Sequence, residues 1–130
     1  MGSDPTLAGR GLVQVGVTCR DLERAKAFYG DTLGLPFLFE VSNMAFFQLK
    51  DMRLMVGKEM KPDSPIGGSI VYFDAPDIDT LAPALAAKGV RFLGPVQVLQ
   101  STPTHDLKLC SFHDPDGNGL ALMGMVPKAG

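Results

Sequence analysis

The chain has 130 residues, of which 45% are hydrophobic and 20% charged, and its net charge is -2. This length corresponds to one domain with a modest core, and the composition is that of a globular protein. The charge balance provides no basic surface for nucleic acid, and no apolar run reaches membrane-spanning length. With no secretory signal in view, we expect a cytoplasmic protein whose two cysteines are reduced and buried.

Residues 1–10 are set aside as a loose terminus or a cloning remnant. Alternating apolar residues predict a strand over 12–19. Apolar residues at helical spacing then predict an amphipathic helix over 22–33, with Asp21 as its N-cap. Short apolar runs separated by two-residue gaps predict three further strands, over 37–41, 44–49 and 52–56.

The gaps at 42–43 and 50–51 set the pairing of these three strands. Counting outward places Phe39 opposite Phe46, and Phe46 opposite Met55. One face of the sheet then carries Phe37, Phe39, Phe46, Gln48, Arg53 and Met55. The opposite face carries Leu38, Phe47, Leu54 and Val56. Because both faces are largely apolar, one should pack on the helix, and the other should line a ligand cavity, form an interface or wrap into a core.

A polar linker over 58–66 separates this unit from a second one with the same pattern. Strands are predicted over 69–74, 90–93, 107–113 and 119–125. After the first of them, Asp77 caps a helix that Pro83 should kink or delay. The stretch 94–106 contains two prolines and His105, and a loop of that length is a candidate lid over a site.

The sequence at 114–118 is Asp-Pro-Asp-Gly-Asn, a composition that favours a tight hairpin turn. Its two aspartates are interpreted as turn formers rather than as a catalytic acid and base. Aligning Asp21 with Asp77 superposes the two halves, each with one strand, one helix and three strands. This duplication predicts an α+β fold of two tandem βαβββ modules. We expect a single domain over 11–126, with modules at 11–57 and 67–126.

The aligned halves contain three characteristic motifs: DLERAKAFY at 21–29, LGL at 33–35 and DPDGN at 114–118. Together they resemble the vicinal oxygen chelate superfamily, which includes glyoxalases, bleomycin-resistance proteins and extradiol dioxygenases. The resemblance extends from Gly11 to Met125. It implies that the modules form a curved mixed sheet around a cavity. It also implies a homodimer with the site near the subunit interface.

Metal-dependent members of this superfamily resemble one another in placing a ligand at four equivalent positions, two per module. The resemblance assigns these positions to Gln14, Met55, Ile70 and Ala121. A divalent ion prefers carboxylate or imidazole ligands, whereas these residues offer one amide oxygen, one thioether and two hydrocarbon side chains. We therefore predict no metal site and no cofactor. His105 is interpreted as a solvated loop residue, and His113 as an exposed or turn-bonded residue at a strand end next to the hairpin turn.

Without a metal, the cavity would have mostly apolar walls and a few polar groups, as is typical of a small-molecule pocket. The expected ligand-binding residues are Gln14, Phe39, Phe46, Gln48, Arg53, Met55, Ile70, Tyr72, Ala121 and Met123. Binding of a small apolar or aromatic molecule is the first hypothesis. The second is a metal-independent or residually metal-dependent lyase, isomerase or dioxygenase-like enzyme, with Tyr72, Asp74 and His105 as candidate catalytic groups. A purely structural domain with a filled cavity is the third.

Overall fold

The computed structural model describes residues 8–10, 12, 14–58 and 69–129. The first module contains β1 (Gln14–Cys19), α1 (Leu22–Lys26), a π-helical segment (Ala27–Thr32), β2 (Phe37–Val41), β3 (Met44–Gln48) and β4 (Arg53–Lys58). The second contains β5 (Ile70–Asp74), α2 (Ile78–Ala87), β6 (Gln97–Ser101), β7 (His105–His113) and β8 (Gly119–Pro127). The predictions for most of the N-terminal segment, for residue 13 of the opening strand and for nearly all of the linker lie outside the described residues.

Each module forms a four-stranded sheet, and the two sheets have the same topology. Their strand orders are β1-β4-β3-β2 and β5-β8-β7-β6. In both sheets the first strand of the module is parallel to the last, and the remaining pairs are antiparallel. The predicted α+β fold with two βαβββ modules and curved mixed sheets is therefore confirmed.

The two-residue turn between β2 and β3 sets the register of the first sheet. Ser42 and Asn43 have φ values of 51° and 65°, the sign that a type I′ hairpin turn requires at both central residues. Phe39 is paired with Phe46, and Phe46 with Met55. The pairings counted outward from the gaps are confirmed.

A β-bulge between Phe37 and Phe39 changes the face on which Phe37 lies. Phe37 is paired with Phe47, and their ring centroids are 5.7 Å apart. The Lys26 ammonium of α1 lies 5.5 Å from the centroid of the Phe37 ring. The prediction that Phe37 shares a face with Phe39 is therefore wrong, because an extra residue in one strand reverses the alternation of side chains beyond it.

The edge strand of the second sheet lies inside the stretch that was predicted to be a loop. β6 pairs antiparallel with β7, whereas the only pairing within 90–93 is an isolated bridge from Phe92 to Phe112. All five residues of β6 are exposed, so its sequence lacks the alternating buried face on which strand prediction depends. The predicted strand at 90–93 and loop at 94–106 are therefore wrong. The lid hypothesis loses its basis, because His105 begins β7.

The helices lie near their predicted positions, with two differences. The Asp21 carboxylate caps α1 by accepting a hydrogen bond of 3.0 Å from the Arg24 backbone N–H, but the second half of the predicted helix is π-helical. α2 begins at Ile78, directly after Asp77, and runs through Pro83, so the delayed start is wrong. Within the described ranges, no helix is long and apolar enough to cross a membrane.

One continuous core joins the two modules. Buried apolar side chains from both contribute to it, among them Tyr29, Phe47, Leu54, Ile78, Phe112 and Leu120. Cys19 and Cys110 belong to the same core and are free thiols, as predicted. The modules therefore share one hydrophobic interior rather than forming two separate ones.

Candidate functional site

The candidate site lies on the face of each sheet that is turned away from the core. In β4, Leu54 and Val56 are fully buried in the core, so the alternating neighbours Arg53 and Met55 project from the opposite side. We call this side the open face. By the same alternation, and by their pairing between β5 and β8, the residues on the open face of the second sheet include Tyr72, Asp74, Ala121 and Met123.

On the open face of the first sheet, an aromatic pair lies next to a cation. The rings of Phe39 and Phe46 are stacked, with centroids 4.5 Å apart and planes inclined by 21°. The guanidinium carbon of Arg53 lies 5.1 Å from the Phe46 centroid and 5.9 Å from the Phe39 centroid, within the range of a cation–π interaction. Phe39 is 42% exposed while Phe46 is buried, so the stack is accessible from the Phe39 side.

Gln14 connects this arrangement to β1. Its Oε1 accepts a hydrogen bond of 3.0 Å from Arg53 Nη2, and its Nε2 donates to the Met55 sulfur over 3.7 Å. The parallel pairing of β1 with β4 places Gln14 directly beside Arg53. Five of the predicted residues, Gln14, Phe39, Phe46, Arg53 and Met55, are thus brought together. We call them the Arg53 cluster.

Gln48 lies directly opposite Arg53 in the sheet, but its side chain is engaged elsewhere. Its amide nitrogen donates to the carbonyl oxygens of Leu49 and Met52. The amide therefore braces the turn between β3 and β4. Within the described ranges it makes no hydrogen bond to the Arg53 cluster.

A cavity of about 330 Å³ opens on the second sheet. The residues that line it are Tyr72, Phe73, Asp74, Leu107, Met123, Gly124 and Met125. Its walls are mostly apolar, and the Tyr72 hydroxyl and the Asp74 carboxylate are the polar side-chain groups among these residues. Such a lining suits a small apolar ligand that carries one or two polar atoms.

The remaining predicted residues of the second module lie outside this cavity. Ala121 is fully buried beside its β5 partner Tyr72, and Ile70 is exposed and paired with Gly119. His105, the third candidate catalytic group, is two residues before the cavity-lining Leu107, and its Nδ1 lies 2.9 Å from Thr104 Oγ1. The structure therefore brings Tyr72 and Asp74 to one cavity without His105.

The residues at the four positions that the resemblance assigns to metal ligands do not fit a divalent ion. The single amide oxygen of Gln14 accepts a hydrogen bond from the Arg53 guanidinium, whose charge would repel a metal cation. Met55 offers a soft sulfur, and the hydrocarbon side chains of Ile70 and Ala121 offer no donor. Among the residues that the structure describes, no three or more His, Cys, Asp or Glu side chains are grouped as a metal site requires.

A buried polar network, which the sequence patterns did not predict, connects the two modules at the 114–118 turn. Asp114 Oδ1 accepts hydrogen bonds from the backbone N–H groups of Asp116 and Asn118, so the turn-forming interpretation holds. Asp114 Oδ2 also accepts a bond of 2.7 Å from the hydroxyl of Tyr29 in the first module. The Asn118 amide donates to the Thr18 carbonyl at the end of β1. The available sequence signal was a tyrosine on the buried stripe of a helix, whose hydroxyl requires a partner.

Asp116 forms the second half of this inter-module network. Its Oδ1 accepts hydrogen bonds from the Arg20 backbone N–H at 2.9 Å and from the Arg24 guanidinium at 3.0 Å.

The network surrounds two titratable groups of the first module. Burial, and to a smaller extent the nearby Asp114 carboxylate, raises the pKa of Tyr29 above its usual range. Burial, followed by Asp116, raises the pKa of Cys19 to about 11. Both groups are therefore protonated at neutral pH, which fits a structural role and not a nucleophilic one.

Comparison with known families gives a match over most of the chain. The family model for the Glyoxalase/Bleomycin resistance protein/Dioxygenase superfamily matches residues 11–122. None of the curated proteins gives a significant match. The DPDGN turn and the opening helix both lie inside the matched region.

Solved structures of similar fold cover nearly the whole chain. An antibiotic binding protein from Streptomyces sp. CB03234 is 25% identical, with a TM-score of 0.71, and the match covers 95% of this chain and 100% of that one. A superfamily member from Sphaerobacter thermophilus is 25% identical, with a TM-score of 0.72 and coverage of 88% and 96%. A lactoylglutathione lyase from Agrobacterium tumefaciens is 19% identical, with a TM-score of 0.72 and coverage of 88% and 93%, and this last likeness concerns the fold alone.

Proposed function

Because the chain belongs to the Glyoxalase/Bleomycin resistance protein/Dioxygenase superfamily, we propose that it binds a small apolar or aromatic molecule without the aid of a metal ion. The observation that carries the proposal is the Arg53 cluster. Its accessible Phe39–Phe46 stack lies beside Gln14 and Met55, the two first-module positions that the resemblance assigns to metal ligands. The site therefore favours stacking and apolar contact over coordination.

The second open face supports the same function. Its cavity of about 330 Å³ lies within the size range of small-molecule pockets. Met123 and Met125 are flexible and polarizable, so they adapt to ligands of different shape, and the Tyr72 ring adds a flat apolar surface. These properties suit an aromatic ligand, which is also the class of ligand that the Arg53 cluster favours.

One relative points in the same direction. The similar structure from Streptomyces sp. CB03234 is an antibiotic binding protein, and its 25% identity extends over all of its own length.

Our proposal extends to the cytoplasm as the location and to a homodimer as the assembly, in which the open faces would be partly covered. Large apolar side chains on these faces, such as Phe39, Ile70 and Tyr72, are exposed in the single chain and would benefit from such cover.

The test is a calorimetric titration with a neutral aromatic probe, naphthalene methanol, in buffer that contains EDTA. We expect saturable binding that is weakened about fivefold in Phe39→Ala, since one aromatic contact is lost. Leu99→Ala serves as the control, because Leu99 is an exposed apolar residue of edge strand β6 in the other sheet. Binding that does not saturate, or that is equally weak in both variants, would contradict the proposal.

A metal-independent lyase or isomerase is the second candidate function. It is favoured by the placement of Tyr72 and Asp74 in one cavity, where a hydroxyl and a carboxylate could act as acid and base. Turnover of a carbonyl or thiol-adduct substrate that persists in EDTA and is lost in Tyr72→Phe would support it. Turnover that is unaffected by this substitution would exclude Tyr72 as the acid.

A further inference from the structure

The Arg53 guanidinium is a cation held in place on an exposed aromatic surface. It rests near the Phe46 and Phe39 rings, at 5.1 Å and 5.9 Å from their centroids, and Nη2 donates to Gln14 Oε1. The contacts with the rings and the hydrogen bond to Gln14 restrict the Arg53 side chain, which would otherwise sample many rotamers. The guanidinium is thus positioned before any ligand arrives.

This cation also lacks a counter-charge within the described part of the chain. Four of the described cations, Arg24, Lys26, Lys108 and Lys128, each form an ion pair with an Asp or Glu, whereas Arg53 is among those that form none. Gln14 is a neutral acceptor and uses one of the five N–H donors of a guanidinium. Arg53 is exposed, so its other donors remain accessible to a ligand or to water.

The same residues explain why a metal does not fit. A cation already faces the Gln14 oxygen at 3.0 Å, and the Gln14 amide nitrogen donates to the Met55 sulfur. The two first-module positions that would hold a metal are therefore engaged around a guanidinium. The positive charge at this place is therefore that of the Arg53 guanidinium and not that of a metal ion.

We propose that Arg53 receives an anionic oxygen group of the ligand, a carboxylate or an acidic hydroxyl attached to an aromatic ring. The ring of the ligand stacks on the exposed Phe39 side of the Phe39–Phe46 stack. The oxygens of the ligand accept hydrogen bonds from the Arg53 guanidinium, whose planar fork matches two neighbouring oxygens. This inference rests on the proposed function and narrows its ligand class from apolar aromatics to aromatic acids.

The experiment compares three probes with the same ring: naphthalene carboxylate, naphthalene carboxamide and naphthylmethylammonium. Each is titrated by calorimetry at low ionic strength in the presence of EDTA. We expect the carboxylate to bind about tenfold more tightly than the carboxamide, because the bond to the guanidinium is charge-assisted. The ammonium should bind most weakly, because its charge has the same sign as Arg53.

Arg53→Gln should abolish the preference for the carboxylate over the carboxamide, so that the ratio of the two dissociation constants falls from about ten to about one. Lys58→Gln is the matched control, since it removes the same charge from an exposed position at the far end of β4, and the preference should persist. Thermal melting confirms that both variants are folded. Added salt should reduce the carboxylate preference, because it screens exposed charges.

The possible failures are distinguishable. Equal binding of carboxylate and carboxamide, or a preference that survives in Arg53→Gln, would overturn the role of Arg53 while leaving the proposed function intact. The absence of saturable binding by all three probes would overturn the proposed function together with this inference.

Discussion

Tyr29 shows how much one hydroxyl contributes when it is buried opposite a carboxylate. Its side chain is 0% exposed and donates to Asp114 over 2.7 Å. We expect Tyr29→Phe to lower the free energy of unfolding by about 2 kcal/mol, because the buried carboxylate loses one of its donors. Urea denaturation measures the change.

The matched control is Tyr72→Phe. Tyr72 is 54% exposed, and its hydroxyl makes no hydrogen bond to the described residues. The same substitution there should change the free energy of unfolding by no more than about 0.5 kcal/mol. Equal losses of unfolding free energy in the two variants would show that the Tyr29–Asp114 hydrogen bond stabilises the fold no more than an exposed tyrosine hydroxyl does.

The two cysteines should be inert in the folded protein. Burial raises the pKa of the Cys110 thiol, and burial together with Asp116 raises that of Cys19 to about 11. Only the thiolate reacts with Ellman's reagent, so neither cysteine of the native protein should react at about pH 8, close to the pKa of a free thiol. Both should react after unfolding in urea. One rapidly reacting thiol in the native protein would contradict this account and would reopen a nucleophilic role.

At the scale of the elements, β8 depends on a glycine for its close approach to the segment that follows β5. A Cβ added at Gly124 would lie 1.9 Å from the Ala75 carbonyl oxygen, so the backbone would have to move. We expect Gly124→Ala to lower the free energy of unfolding by about 2 kcal/mol, the usual cost of overpacking. Thermal and urea unfolding provide the measurement.

Gly94→Ala is the control for this prediction. Nothing lies within 4 Å of an added Cβ at Gly94, and that residue precedes β6 on the exposed edge. This variant should be nearly as stable as the parent protein. If Gly124→Ala were equally harmless, β8 would have room that the structure does not show.

The sequence predicted the paired elements of the first sheet more accurately than the edge of the second. The register of β2, β3 and β4 follows from two-residue turns, which are local features. No such local pattern marks the bulge between Phe37 and Phe39, because the extra residue has no sequence signature. None marks β6 either, because that strand is fully exposed and has no alternating buried face. The same limit applies to the site: Gln14 and Arg53 are 39 residues apart, and their contact depends on the parallel pairing of β1 with β4.

At the scale of the whole molecule, the two modules should unfold together. The core contains buried side chains from both, and the Tyr29–Asp114 and Asn118–Thr18 hydrogen bonds cross between them. We expect one cooperative transition, with far-ultraviolet circular dichroism and tyrosine fluorescence following the same urea curve. Two separated transitions would show that each module is stable alone.

We propose that ligand binding in this protein does not require a metal ion. The most direct test is the affinity of naphthalene carboxylate, measured by calorimetry after exhaustive treatment with EDTA and again after addition of zinc, nickel or manganese. Because the Gln14 oxygen already faces a guanidinium, and because two of the four positions that the resemblance assigns to metal ligands hold Ile70 and Ala121, we predict the same dissociation constant in every case. Binding that appears only after a metal is added would contradict the account.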